Sequence, residues 1–205
     1  GEEAVSADPR LLGGLASADL AFTIDPVDGT FNFASGLPLF GVMLAVAVKG
    51  ETVAGIIHDP IGRDWILAGC GAGAFVRDAE GGRTRMQVAD PVPVSEMTGS
   101  LSWQYLEEPE RGRVARNQTK CLAPMNYRCA AHEYRMLSEG HADFACYTKL
   151  MPWDHLPGVL IHAEAGGYSA KLDGEPYRVG DTHGRLLAAA DRQCWLELKR
   201  ALWEE

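Results

Sequence analysis

Scarce cysteine, scarce positive charge and the lack of a long apolar run set the first limits on this chain. Its 205 residues include five cysteines, Cys70, Cys121, Cys129, Cys146 and Cys194. An odd, scattered set with no Cys-x-x-Cys pair signals neither a disulfide framework nor a zinc site. Buried thiols in a reducing cytosol are the simplest account, and a cytoplasmic location is the expectation. No apolar stretch approaches the roughly 20 residues needed to span a bilayer. Lys and Arg number 19 against 28 Asp and Glu, a formal net charge of −9. That balance argues against nonspecific binding to nucleic acid or to an anionic membrane. The chain opens Gly1-Glu2-Glu3 with no methionine and no targeting segment, and reads as one entered partway through.

What is present is ordinary globular composition, 46% hydrophobic and 23% charged. The length suits one large or two modest domains. β-rich runs dominate the first half and predict strands near 22–25, 42–48 and 53–58, the last two joined by a tight turn at Lys49-Gly50-Glu51. "DWILAGCGAGAFVRD" adds further strand, and the polar stretch from Ala79 to Pro93 reads as a turn and a link. A new strand begins in "GSLSWQYL", so a boundary is expected near Met97, dividing residues 1–97 from 98–205. Helices are expected in the charged stretch "EEPERGRVARN", residues 107–117, in "CAAHEYRMLSEG" with Gly140 as its stop, and in "DHLPGVLIHAEAGG". The last should start at Asp154 as N-cap, carry Pro157 in its first turn and end at Gly166-Gly167.

The chemistry concentrates in "FTIDPVDGTFNFASG", residues 22–36. Pro26 fixes φ and lacks an amide donor, so the strand should stop there and leave Asp25 and Asp28 on a turn at its carboxyl edge. A D-P-x-D-G string also suits a plain Asx turn that only solvates the backbone. Glu2, Asp25, Asp28 and Asp154 together, however, make a hard-oxygen set suited to Mg²⁺. The Gly29 and Thr30 amides can then face a phosphate.

"GEE", "IDPVDGTFNF" and "PWDHLPGVLIHAEAGG" resemble the three signatures of the inositol monophosphatase family, magnesium-dependent, lithium-sensitive phosphatases, and the similarity runs from Gly1 to about Ala190. The resemblance implies an α/β fold, a layered α-β-α-β-α sugar-phosphatase architecture, here lacking the helical pair that precedes "GEE" in the family. It implies two or three Mg²⁺ ions held by Glu2, Asp25, Asp28, Asp154 and the Val27 carbonyl. Glu2, Thr30 and Asp28 would serve catalysis, with Thr30 orienting the attacking water. Gly29 and Thr30 would hold phosphate, and Asp154, Ala130, Arg128 and Tyr147 would face the substrate. It implies a small-molecule phosphate ester as substrate, with inositol monophosphate the default and fructose 1,6-bisphosphate or histidinol phosphate the alternatives. A homodimer is expected, with no membrane and no direct nucleic-acid contact. Some bacterial relatives act in transcription complexes, so a regulatory binding protein on the same fold is the non-enzymatic alternative.

Three departures from the family pattern stand out. The missing helical pair supplies the aspartate that partners the motif's threonine, so the relay at Thr30 is incomplete in this chain. Arg128-Cys129-Ala130-Ala131 replaces a Gly-Ser-Ala-Ala turn, and Tyr147 stands where a hydroxyl-binding glutamate often lies. With Lys149, Arg128 adds positive charge that favours a second anionic group on the substrate, unless both side chains simply face solvent.

Overall fold

The computed structural model describes residues 1–204. After a short helix α1 (Glu2–Ala7), six strands run in order across one antiparallel sheet: β1 (Leu20–Asp28), β2 (Gly41–Val48), β3 (Glu51–Asp59), β4 (Asp64–Gly69), β5 (Gly73–Arg77) and β6 (Arg83–Arg85). A one-turn helix α2 (Thr30–Ala34) interrupts between β1 and β2. Five further strands, β7 (Thr98–Leu101), β8 (Ala123–Met125), β9 (Phe144–Tyr147), β10 (Tyr168–Lys171) and β11 (Leu186–Ala189), form a mixed sheet in the order β10-β11-β9-β7-β8. The helices α3 (Glu110–Asn117), α4 (Ala130–Ser138), α5 (Pro152–Glu164) and α6 (Arg192–Lys199) complete the chain, the last continuing into a π-helical turn over Arg200–Glu204.

Alternation builds the first sheet. Along β2, Met43, Ala45 and Ala47 are buried while their neighbours are partly exposed, the period of two expected of a half-covered strand. The inward set packs with Tyr134 and Leu137 of α4, Leu156 and Ile161 of α5, and Tyr147 and Leu186 of the second sheet. The far side of that second sheet buries Phe144, Leu187 and Ala189 against Val114 of α3 and Trp195 and Leu198 of α6. The layers therefore run sheet, helices, sheet, helices. On the other face of the first sheet, Leu20, Phe22, Ile24, Val48 and Ile56 are exposed. Among the described residues no helix is long and apolar enough to cross a membrane.

Several local expectations change. β1 does not stop at Pro26 but continues to Asp28. It is the edge strand, so the amide that Pro26 lacks breaks no ladder bond. α5 begins at Pro152, not Asp154, because a proline with its fixed φ is suited to the first helical position; Met151 is the N-cap. Pro157 consequently lies inside the helix rather than in its first turn. It passes directly over Gly55 of β3, where a Cβ would stand 2.7 Å from the Pro157 carbonyl oxygen. The link at 79–93 contains the three-residue strand β6, and Cys70 is exposed while the other four thiols are buried. The two-residue turn at Lys49 and Gly50 (φ 50° and 81°) and the positive-φ stops at Gly140 and Gly166 follow the sequence reading.

Candidate functional site

Asp25 and Asp28 are three apart, and in a regular strand they would face opposite sides of the sheet. The ladder with β2 shifts by one residue between them: Asp25 pairs with Met43, Asp28 with Gly41. This bulge lets both carboxylates point inward, at 3% and 9% exposure. Their turn into α2 passes through Gly29 at φ 83°, where a Cβ would lie 2.9 Å from the Leu39 carbonyl oxygen and 3.1 Å from Cys129 Sγ. Only glycine meets both requirements.

Asp154, the third residue of α5, brings its carboxylate to the same place. One oxygen each from Asp25, Asp28 and Asp154 lie within 4.8 Å of one another, a set that can hold a metal ion. Asp28 Oδ2 accepts the Ala131 amide at 2.6 Å and lies 3.2 Å from Cys129 Sγ, which anchors it to the amino end of α4. Asp25 Oδ1 accepts the Val27 amide at 2.9 Å. Burial, then the charge of Asp28, pushes Asp25 up to about 6. Burial raises Asp28 as well, and burial followed by the charges of Asp28 and Asp25 carries Asp154 well above the usual carboxylate range. Three acids that resist ionising together are chemically suited to a divalent cation, whose charge would relieve both burial and repulsion.

The cluster opens into a cavity of about 390 Å³. Glu2, Gly29, Thr30 and Ala130 line it beside the three aspartates, and so do Arg128, Tyr147 and Lys149. Val27 alone of the expected residues is not in the lining. Its carbonyl accepts the Thr30 hydroxyl at 2.9 Å, so the threonine is satisfied locally. Glu3 is exposed and outside the lining.

The sequence reading missed several lining or supporting residues. Glu133, buried on α4, accepts the Tyr127 amide at 3.0 Å, and burial raises it to about 7. Buried Asn32 donates to the carbonyls of Leu39 (3.0 Å) and Tyr127 (2.7 Å), tying α2 to the loop ahead of α4. His155 Nε2 donates to the Lys149 carbonyl at 3.0 Å, leaving Nδ1 to accept the Tyr134 hydroxyl at 3.2 Å. Burial lowers this histidine to about 4, so it is neutral at physiological pH. Asn32 lies within "DGTFNF" and is the only one of these with a local signal. The others depend on which face of α4 or α5 turns inward.

Comparison with known proteins matches this arrangement to one family model, described as "Inositol monophosphatase family", over residues 1–204. The chain belongs to the inositol monophosphatase family. Within it, the chain is 31% identical over 169 residues to the Thermotoga maritima protein named "Fructose-1,6-bisphosphatase/inositol-1-monophosphatase", covering 80% of this chain and 61% of that one. It is likewise 31% identical over 177 residues to "Nus factor SuhB" of Pasteurella multocida, covering 85% and 64%. The chain thus spans less than two thirds of either relative's length. Among solved structures of the family, the extragenic suppressor protein suhB from Bartonella henselae superposes with a TM-score of 0.79 at 28% identity, over 91% of this chain and 71% of that one.

Proposed function

We propose that the chain is a Mg²⁺-dependent phosphomonoesterase that hydrolyses inositol monophosphate or a related sugar phosphate by water attack. The observation that carries this reading is the cluster of buried Asp25 and Asp28 with half-buried Asp154, one oxygen of each lying within 4.8 Å of the others. Mg²⁺ bound there, with Glu2 and the Val27 carbonyl as further ligands, would neutralise phosphate charge and acidify water. The protein's own part is placement. The bulge and the Ala131 amide hold Asp25 and Asp28 inward. Gly29 and Thr30 present backbone amides at the β1–α2 turn as phosphate contacts, and Glu2 and Thr30 orient the attacking water. Asp154 and Ala130 face the leaving alcohol. A homodimer accompanies this reading, checked by light scattering.

The relative named as a fructose-1,6-bisphosphatase keeps a bisphosphate among the candidate substrates. A histidinol-phosphate phosphatase is the other enzymatic alternative. The relatives named Nus factor keep a regulatory binding role as the non-enzymatic reading. Phosphate release from inositol 1-phosphate, with and without Mg²⁺, separates the classes. Turnover that needs Mg²⁺ supports the phosphatase; none from any of these esters leaves the binding role.

A further inference from the structure

Three groups of the cavity are not engaged by the acid cluster. The first is the Tyr147 hydroxyl, which is buried and has no hydrogen-bond partner. Its ring is held between Tyr134 and His155, at centroid distances of 5.1 and 4.6 Å. The residue is 5% exposed and still lines the cavity. A buried donor with no acceptor is rare in a folded protein and asks for an explanation.

The second is Arg128. It adopts φ 55°, in the left-handed region where a side chain is strained. The backbone around it is clamped: Glu133 accepts the Tyr127 amide, Asn32 donates to the Tyr127 carbonyl, and Asn126 Oδ1 accepts the Arg128 amide at 2.9 Å. The guanidinium carbon lies 3.6 Å from the centroid of the Phe31 ring. The strain is thus imposed by a set of contacts that delivers the guanidinium to the cavity rim. The third group is Lys149, exposed at the same rim, its carbonyl fixed by His155. Among the described residues neither Arg128 nor Lys149 forms an ion pair.

We propose that Arg128, Lys149 and the Tyr147 hydroxyl form an anion subsite, so that the preferred phosphate ester carries a second anionic group, a phosphate or carboxylate, on its leaving alcohol. Guanidinium and ammonium groups only donate, whereas a polyol's hydroxyls also need acceptors. A carboxylate at position 147 would accept hydroxyls and repel an anion; the phenol donates to one. Burial raises its pKa well above the ordinary value, which keeps that proton in place. Of the remaining acids of the lining, Glu133 is occupied by the Tyr127 amide, Asp25, Asp28 and Asp154 by the cluster, and Glu2 is assigned to the metal in the phosphatase reading.

This inference rests on the phosphatase reading, and the experiment keeps the two apart. Tyr147→Phe removes the hydroxyl and retains the ring stack. Arg128→Gly removes the guanidinium and relaxes the backbone. The readout is the ratio of kcat/KM for fructose 1,6-bisphosphate to that for inositol 1-phosphate, with 3-phosphoglycerate telling a carboxylate from a phosphate. The parent should give a ratio above one, falling roughly tenfold in each variant and falling with added salt. An unchanged ratio in either variant overturns the subsite as stated. If no ester is hydrolysed with Mg²⁺ present, the phosphatase reading fails, and calorimetric binding of the same esters decides the subsite. Tighter binding of the doubly anionic esters, lost in both variants, then supports it; equal binding overturns it.

Discussion

Asp28 Oδ2 accepts the backbone amide of Ala131 at 2.6 Å, joining the last residue of β1 to the first turn of α4 across 103 positions of sequence. Cys129, the residue in the N-cap position, makes no side-chain cap of its own. A strand carboxylate therefore serves the helix end, and the helix end holds a carboxylate at the cluster. That coupling makes the acids both functional candidates and structural elements, and it shapes what their substitution should do.

Asp25→Asn is expected to abolish Mg²⁺-dependent hydrolysis while leaving the metal-free fold intact or slightly stabilised. Asp25 accepts the Val27 amide and shares a side-chain hydrogen bond with Asp154, which an asparagine can keep, and its ionised form is opposed by burial and by Asp28. Paired melting curves with a Mg²⁺ titration check this. A variant that gains as much stability from Mg²⁺ as the parent would show that Asp25 is not a ligand.

The metal-free protein should lose stability as pH rises above about 6.5. Asp25 is raised from 3.8 to about 6, and Glu133 from 4.5 to about 7. Between the unfolded and folded values, the native state holds protons that the unfolded chain has released. Their contribution is complete below about pH 4 and is lost as pH rises through 6 to 7. Asp28 and Asp154 are shifted in the same sense. Buried His155 and His162, lowered from 6.5 to about 4 and about 3, act in the opposite sense up to pH 6.5, so melting temperature in chelator should fall from pH 6.5 to pH 8, by about 2–4 °C for each kcal/mol. Saturating Mg²⁺ should flatten the curve. A metal-free melting temperature that rises over this window would contradict the burial assigned to these acids.

Gly29→Ala is expected to destabilise the protein by about 1–3 kcal/mol. The substitution places a side chain at φ 83°, with its Cβ 2.9 Å from the Leu39 carbonyl oxygen. Urea unfolding measures it, and a midpoint equal to the parent's would mean that the turn relaxes freely.

Asn32→Ala should destabilise by roughly 1–3 kcal/mol, since it strips the carbonyls of Leu39 and Tyr127 of a buried donor. Hydrogen exchange should show faster opening at residues 126–128 than at β2 and β3. Uniform exchange across those segments would argue that the loop is held by other contacts.

The alternation along β1 to β3, the two-residue turn at Lys49 and Gly50, and the glycine stops after α4 and α5 were legible because each depends on neighbours a few residues away. The family signatures were legible for the same reason, as short strings of unusual composition. Pro26 shows where local reasoning failed: whether a missing amide ends a strand depends on whether a neighbour would have used it, and β1 is an edge. Asp154 shows the same at a helix, where Pro152 took the first position and left the carboxylate clear of the capping role. Composition and spacing by themselves determined that the acids, the glycine turn and the α/β alternation exist. Only the tertiary structure decided that Asp25 and Asp28 share a face, through a bulge set by pairing with β2. It alone brought Asp154 to them and aimed Glu133 and Tyr147 inward, because those outcomes depend on how α4 and α5 lie on the sheet, and contacts about 100 residues apart in sequence leave no periodic trace in either segment.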